Sequence, residues 1–171
     1  MFGLKKHSPG EKVVTQSSGI VYYIADDKEP RYLLIKRQAV SKKIERVCPK
    51  KVQPESLEDA AVREVSEETG LLLNKLTLIQ KMGVNSIRTE NPSLGTLNKD
   101  ITFFLMHYTG DYNKVHLVDG EYIGVHKWCT LQEVMALVYY ADMRELIRQS
   151  YTIIKSDVKQ DTIKQRFMDL L

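Results

Sequence analysis

Apolar and polar positions divide the chain into short stretches of distinct period. Residues 17 to 25, SSGIVYYIA, and 31 to 37, RYLLIKR, are dense in β-branched, aromatic and aliphatic residues, and the turn-forming run DDKEP lies between them. They predict a β-hairpin. A polar, basic stretch runs to about Glu45, a short strand candidate ERVC follows, and PKKVQP leads into ESLEDAAVREVSEETGL. There the period becomes helical, with Leu57, Ala61, Val62 and Val65 in one stripe. Ser56 with Asp59 three residues on makes an N-cap, and Gly70 makes a C-terminal cap, so the helix is expected from about Leu57 to Glu68. Residues 75 to 88, and 100 to 108 around ITFFLMHYT, predict two strands, with TENPSLGTLNKD as the loop between them. Tyr112 to Val118 is expected as an edge strand, and Tyr122 to Trp128 as another ending at the helix cap Thr130. Leu131 to Val138 and Met143 to about Lys155 have helical spacing. Asp157 to Leu171 repeats it with Val158, Ile163, Phe167 and Leu170, as a docked helix or a tail.

The resulting order β-β-β-α-β-β-β-α-α is not a simple βα alternation. It predicts an α/β fold with a mixed sheet and helices on both faces. At 171 residues, 43% hydrophobic and 27% charged, with no internal repeat and no linker-like tract, the chain is expected to form a single domain over 1–171. The N-terminus MFGLKKHSPGEK lacks an apolar run of signal-peptide length, and no segment reaches the roughly 18 apolar residues of a membrane span. The expected location is cytoplasmic, with no membrane partner; nothing in the sequence speaks to oligomeric state. Cys48 and Cys129 fit no zinc spacing and are expected as free, structural thiols. The four histidines are scattered.

Charge changes the picture. Glu55 to Leu71 contains six acids and one base, Arg63, and the −5 of this segment leaves the rest of the chain at +8 against a whole-chain charge of +3. Glu64, Glu67 and Glu68 fall on one arc of about 100° along the edge of the apolar stripe. Like charges at i, i+3 and i+4 oppose a helix by a few tenths of a kcal/mol per pair, and more so near its negative C-terminal end. Arg63 reaches Glu67 or Asp59 but does not neutralise three glutamates. The helix alone leaves two readings open: a solvated acidic face, or hard oxygen ligands for Mg²⁺ or Mn²⁺. Lys36, Arg37, Lys42, Lys43, Arg46, Lys50 and Lys51 precede the helix and would draw a phosphate-rich ligand; a solvated loop would have the same composition.

The segment Arg63-Glu64-Val65-Ser66-Glu67-Glu68-Thr69-Gly70-Leu71, with Glu55 seven intervening residues ahead of Arg63, resembles the Nudix hydrolase signature G-x5-E-x7-R-E-U-x-E-E-x-G-U. Every position from Glu55 onward matches, while Pro49 stands where the signature has Gly. The opening hairpin, ITFFLMHYTG and EYIGVHKWCTLQEVMALV extend the likeness to about residues 17–155, leaving 156–171 as a C-terminal helix or tail. The resemblance implies an α/β/α sandwich and a Mg²⁺- or Mn²⁺-dependent hydrolase of nucleoside diphosphate-linked substrates. By position it makes Glu64, Glu67 and Glu68 metal ligands, with Glu64 also a candidate base and Arg63 orienting a glutamate. Glu121 is the candidate for a further distal ligand. Lys42, Lys43, Lys50 and Lys51 would bind substrate phosphates, and Tyr22, Tyr23, Phe103 and Phe104 are candidates for base stacking, although strand aromatics are more often core. Dinucleoside polyphosphates, nucleoside triphosphates, nucleotide sugars and RNA 5′ ends all fit, and the PKKVQPE loop leans toward the first. That loop lacks the usual glycines, which keeps a second reading: a Nudix-like nucleotide- or RNA-binding module with impaired catalysis. A general RNA-binding protein, resting on the basic loop alone, is a third.

Overall fold

A computed structural model describes residues 13–37, 55–91, 95–117 and 122–169. In chain order the elements are β1 (Val13–Ile24), β2 (Pro30–Arg37), α1 (Leu57–Thr69), a 3-10 turn (Leu73–Lys75), β3 (Leu76–Asn91), β4 (Gly95–Tyr108), β5 (Tyr122–Cys129), α2 (Leu131–Leu137) and α3 (Ala141–Met168). The strands form one five-stranded mixed sheet in the order β3-β4-β1-β2-β5, in which β1 and β4 run parallel and the other neighbours antiparallel.

Strand alternation divides the core in two. Ile20, Tyr22, Phe103 and Leu105 pack with Val134 of α2 and with Leu146, Ile147 and Ile154 of α3. Val21, Phe104, Met106 and Tyr108 pack on the opposite face with Ala61 and Val65 of α1. Phe103 to Met106 are four successive buried apolar residues, as a strand covered on both faces requires. The arrangement is the α/β/α sandwich with a mixed sheet that the sequence predicts.

Three boundaries differ from expectation. First, most of the predicted loop TENPSLGTLNKD is strand: Thr89 pairs with Leu97, Glu90 with Thr96 and Asn91 with Gly95, so β3 and β4 form a long ribbon. Residues 92–94 lie outside the described residues, and Asn98 and Asp100 lie within the ladder. Second, 112–117 is not a strand. Asp111 accepts from the Asn113 backbone N–H at 3.0 Å, while the His116 N–H goes to Thr69 O and the Trp128 indole N–H to Tyr112 O. Backbone groups that would pair with a neighbouring strand are thus used on a turn, a helix end and an indole. Third, α3 runs without a break through Ser156 and Asp157. Both are exposed, and the inward face of Ile147, Ser150, Ile154 and Val158 continues past them. The ERVC strand candidate lies outside the described residues. No helix among those described is long and apolar enough to cross a membrane.

Two features of the sheet prepare a site. β1 and β2 pair only over Tyr22↔Tyr32, Tyr23↔Arg31 and Ile24↔Pro30, after which β2 follows β5. Among the described residues the two strands therefore part, and α1 lies over the gap. Gly19 allows the helix to approach: a Cβ there would sit 2.5 Å from Val65 Cγ2 and 3.1 Å from Met106 Sδ. Gly19→Ala should destabilise the protein by about 1–3 kcal/mol, the usual cost of overpacking. In urea unfolding the Gly19→Ala/Val65→Ala double variant should lose less than the two single losses combined; simple additivity would show that Gly19 does not set the height of α1.

Candidate functional site

Helix α1 is fixed at both ends by its own sequence. The Ser56 hydroxyl accepts from the Asp59 N–H at 3.0 Å, and Gly70, in the left-handed region at φ 70°, closes the C-terminus with its N–H on Ser66 O. Ser66 Oγ donates to Leu71 O at 2.7 Å. Ala61, Val65 and Thr69 are buried against the sheet, which turns the flank bearing Glu64 and Glu68 toward the gap between β1 and β2. Both glutamates line a cavity of about 600 Å³ there, with Thr15, Ser17 and Gly19 of β1 and Leu33 and Ile35 of β2.

Arg63 organises the acids on the other flank. Its Nε lies 3.1 Å from Glu55 Oε1 and its Nη2 3.0 Å from Glu55 Oε2, while Nη1 donates to Glu67 Oε2 at 2.9 Å. The Glu64 carboxylate is farther off, at 3.7 Å from Nη2. Glu55, whose position would also suit helix-dipole stabilisation, is thus one half of a fork-to-carboxylate pair. The guanidinium is held in its charged form chiefly by the Glu55 hydrogen bond. Glu64 differs from its neighbours: burial raises its pKa above the ordinary 4.5, and the Glu68, Glu67 and Glu55 charges add to this against the opposing pull of Arg63.

Glu64 and Glu68 stand one turn apart on the cavity wall, and Glu67 is committed to Arg63. Lys42, Lys43, Lys50, Lys51 and Glu121 lie outside the described residues, as does Cys48; Cys129 is a buried free thiol. Tyr22, Phe103 and Phe104 are core residues, and Tyr22 stacks on His107. Tyr23 stacks on Tyr112 with ring centroids 4.3 Å apart and meets Trp128 edge-on. Among the described residues no group of three or more His, Cys, Asp or Glu side chains is gathered to hold a metal ion. The Glu64 and Glu68 pair nevertheless fits a divalent cation in kind: both donors are hard carboxylate oxygens, and the partial desolvation of Glu64 disfavours its charge unless a cation is near.

The sequence reading missed a buried polar row on the face of the sheet that this helix covers. Asn98, Asp100 and Thr102 of β4 are all buried, and Ser86 donates to Asp100 Oδ1 at 2.6 Å. Asp100 and Thr102 fall within the predicted strand 100–108; the period-2 spacing that carries it on to Asn98 was the available signal, masked by loop-like composition.

Comparison with known proteins agrees with this geometry. The chain matches the NUDIX domain family over residues 15–150. No curated protein sequence matches it. Among solved structures it is similar to an Ap4A hydrolase of C. elegans in a binary complex, at 20% identity and TM-score 0.61, covering 84% of this chain and 98% of that one. It is similar also to the MutT protein of Methanosarcina mazei Go1, at 18% identity and TM-score 0.55, covering 83% and 95%. The dihydroneopterin triphosphate pyrophosphohydrolase of E. coli aligns at 21% identity and TM-score 0.53, covering 82% and 99%. At these identities the likeness is one of fold.

The raised pKa of Glu64 has a defined stability consequence. Below the unfolded value near 4.5 the group is protonated in both states and costs nothing. As pH rises past it, the unfolded chain gives up the proton first and stability falls. Glu64→Gln should therefore raise the Tm of the metal-free protein at pH 7 by about 1–3 °C, with the gain vanishing toward pH 3. Thermal melts across this range check it, and a gain independent of pH would contradict the assignment.

Proposed function

The chain belongs to the NUDIX domain family, and from that premise we propose that it is a divalent-metal-dependent hydrolase. It cleaves a pyrophosphate bond in a nucleoside diphosphate-linked substrate, with dinucleoside polyphosphates preferred. The observation that carries this reading is the placement of Glu64 and Glu68 on one cavity wall while the helix's only basic residue is occupied by Glu55 and Glu67. An acidic face kept merely for solubility would have no reason to set Glu64, about half exposed, and Glu68 on the wall of a cavity.

In this reading Glu64 and Glu68 hold Mg²⁺ or Mn²⁺, and Glu67 contributes a further carboxylate from the Arg63 side. Bound there, a divalent cation would supply charge neutralisation for the polyphosphate and a more acidic water. Arg63 positions: fixed by Glu55, it holds Glu67 in place and tempers the charge on Glu64. Glu64, whose pKa is already raised by burial, is the residue suited to take a proton from the attacking water. Lys42, Lys43, Lys50 and Lys51, with Glu121 as a distal ligand, complete the proposal from sequence. The preference for dinucleoside polyphosphates rests on the hairpin and the PKKVQPE loop.

A second reading is favoured by one observation, the absence of the usual loop glycines where Pro49 stands. A site with a displaced turn would bind nucleotides without cleaving them.

A panel of diadenosine tetraphosphate, nucleoside triphosphates, ADP-ribose and 5′-triphosphorylated RNA, with and without Mg²⁺ or Mn²⁺, separates the two. We expect at least one compound to be cleaved with strict metal dependence, and ¹⁸O-labelled water to identify the phosphorus attacked. Glu64→Gln should lower kcat by about 10²-fold or more. Binding without product under either metal would establish the second reading. Reversing Lys42 and Lys43 to Glu should raise KM most at low ionic strength; a KM unmoved at every salt concentration would remove these lysines from phosphate capture.

A further inference from the structure

Helix α1 covers a sheet face that is apolar only in part. The pairing of β1 with β4 runs unbroken from Val13↔Asn98 to Tyr22↔His107. Strand alternation therefore puts Asn98, Asp100 and Thr102 on the same face as Phe104, Met106 and Tyr108, the residues packed with Ala61 and Val65. Beyond Phe104 the face becomes polar while remaining buried: Thr102 is 3% exposed, and Asp100 and Asn98 7% each. Packing does not require this, since each position on an otherwise apolar sheet face would accept a Val or Ile at lower desolvation cost.

The hydrogen bonding of the row is uneven. Asp100 accepts from Ser86 of β3, whereas the Asn98 side-chain amide nitrogen is buried with no hydrogen-bond partner among the described residues. Such orphans are rare in folded proteins and call for an explanation. Across the ladder, Thr15 is the partner of Asp100 and Ser17 that of Thr102, and both line the cavity shared with Glu64 and Glu68. Asp100 and Thr102 are thus one strand spacing, roughly 4.8 Å, from the cavity floor, and Asn98 follows them on the same face. Asp100 lies about 13 Å, and Asn98 about 20 Å, along the sheet from the point where Val65 packs on Gly19, within the span of an extended dinucleoside polyphosphate.

We propose that Asn98, beside Asp100 on the same strand face, reads the hydrogen-bonding edge of the substrate's nucleobase and is the specificity-determining residue of the site. The inference rests on the cavity being a nucleotide site, as set out above. A base edge places an acceptor beside a donor, the complement of a free amide N–H next to a carboxylate that is already held in place. A purely structural Asn would instead have its amide satisfied by the fold.

The test uses the full chain with Asn98→Leu, and with Asn98→Ala as a second variant in case the larger side chain does not pack. Tm, base preference across dinucleoside tetraphosphates of adenine, guanine, cytosine and uracil, and turnover of inorganic tripolyphosphate are measured together. Calorimetry adds the affinity of metal-free protein for the four nucleoside 5′-monophosphates. Removing an unsatisfied buried amide should leave Tm unchanged or raised. The preferred dinucleotide's KM should rise about tenfold, the base preference should flatten, and tripolyphosphate turnover should stay as in wild type. Lowered Tm with intact base preference would make Asn98 structural and overturn the inference while leaving the hydrolase reading in place. If nothing is cleaved but the wild type binds monophosphates with a base preference that both variants abolish, the subsite stands and the hydrolase reading falls. Monophosphate binding with no dependence on the base would overturn the subsite.

Discussion

A thirteen-residue helix bearing Glu58, Asp59, Glu64, Glu67 and Glu68 against Arg63 alone is opposed by its own charge pattern, so the rest of the site depends on what holds α1 down. The caps at Ser56 and Gly70 contribute locally, about 1 kcal/mol for an N-cap of this kind. The larger contribution is burial of Ala61, Val65 and Thr69 against β1 and β4 at the glycine step of Gly19. Burying a Val side chain stabilises by about 1.5–3 kcal/mol, which outweighs a few like-charge pairs of tenths each. Sheet contact therefore wins, and it does so while fixing Glu64 and Glu68 on the cavity side. Arg63 supplies the remainder by drawing Glu55 and Glu67 to the opposite flank.

The same contact decides where an opening lies. With α1 spanning the divergence of β1 from β2, the helix roofs a gap rather than a continuous sheet. The segment 111–117 anchors the far end: His116 hydrogen-bonds to Thr69 O, and a Cβ at Gly70 would lie 3.1 Å from that of His116. Tyr112, stacked on Tyr23 and receiving the Trp128 indole N–H, keeps the segment against the sheet. A chain stretch with strand-like composition thus serves as a clamp on the helix terminus.

How much of this was legible in the sequence follows from the range of each signal. The hairpin, α1 with both caps, β5 with its Thr130 cap and the mixed sheet were readable, because period and capping chemistry are local. The acidic arc was readable for the same reason, and the Glu55-to-Leu71 spacing linked it to a family. What failed was non-local. The ribbon strands near Asn98 were hidden by polar residues whose burial only β1 and β3 explain. The 112–117 stretch lost its strand character to partners on α1 and β5, and α3 overrode a Ser-Asp pair because its inward face keeps contact with the sheet. The assignment of Glu67 to Arg63, and of Glu64 and Glu68 to the cavity, needed the docking angle of α1, which no spacing along one helix supplies.

Two departures from what stability alone would select lie on one face of the sheet: a partly desolvated glutamate beside other carboxylates, and a buried amide without a partner among the described residues. Groups of this kind persist when surrounding structure over-determines them, and they cluster where a ligand completes them. The opposite face of the sheet offers a comparison. There Ser150 donates to Ile147 O and contacts Tyr32 Oη, while Lys155 and Tyr151 both engage Glu29, so polar groups near that core are paired. On the α1 side Arg63, Glu55, Glu67 and Asp100 are paired as well, and among the described residues the Asn98 amide nitrogen is the exception. The proposed reading accounts for both departures together: Glu64 would face a cation, and Asn98 a hydrogen-bonding ligand, on the same face of the sheet.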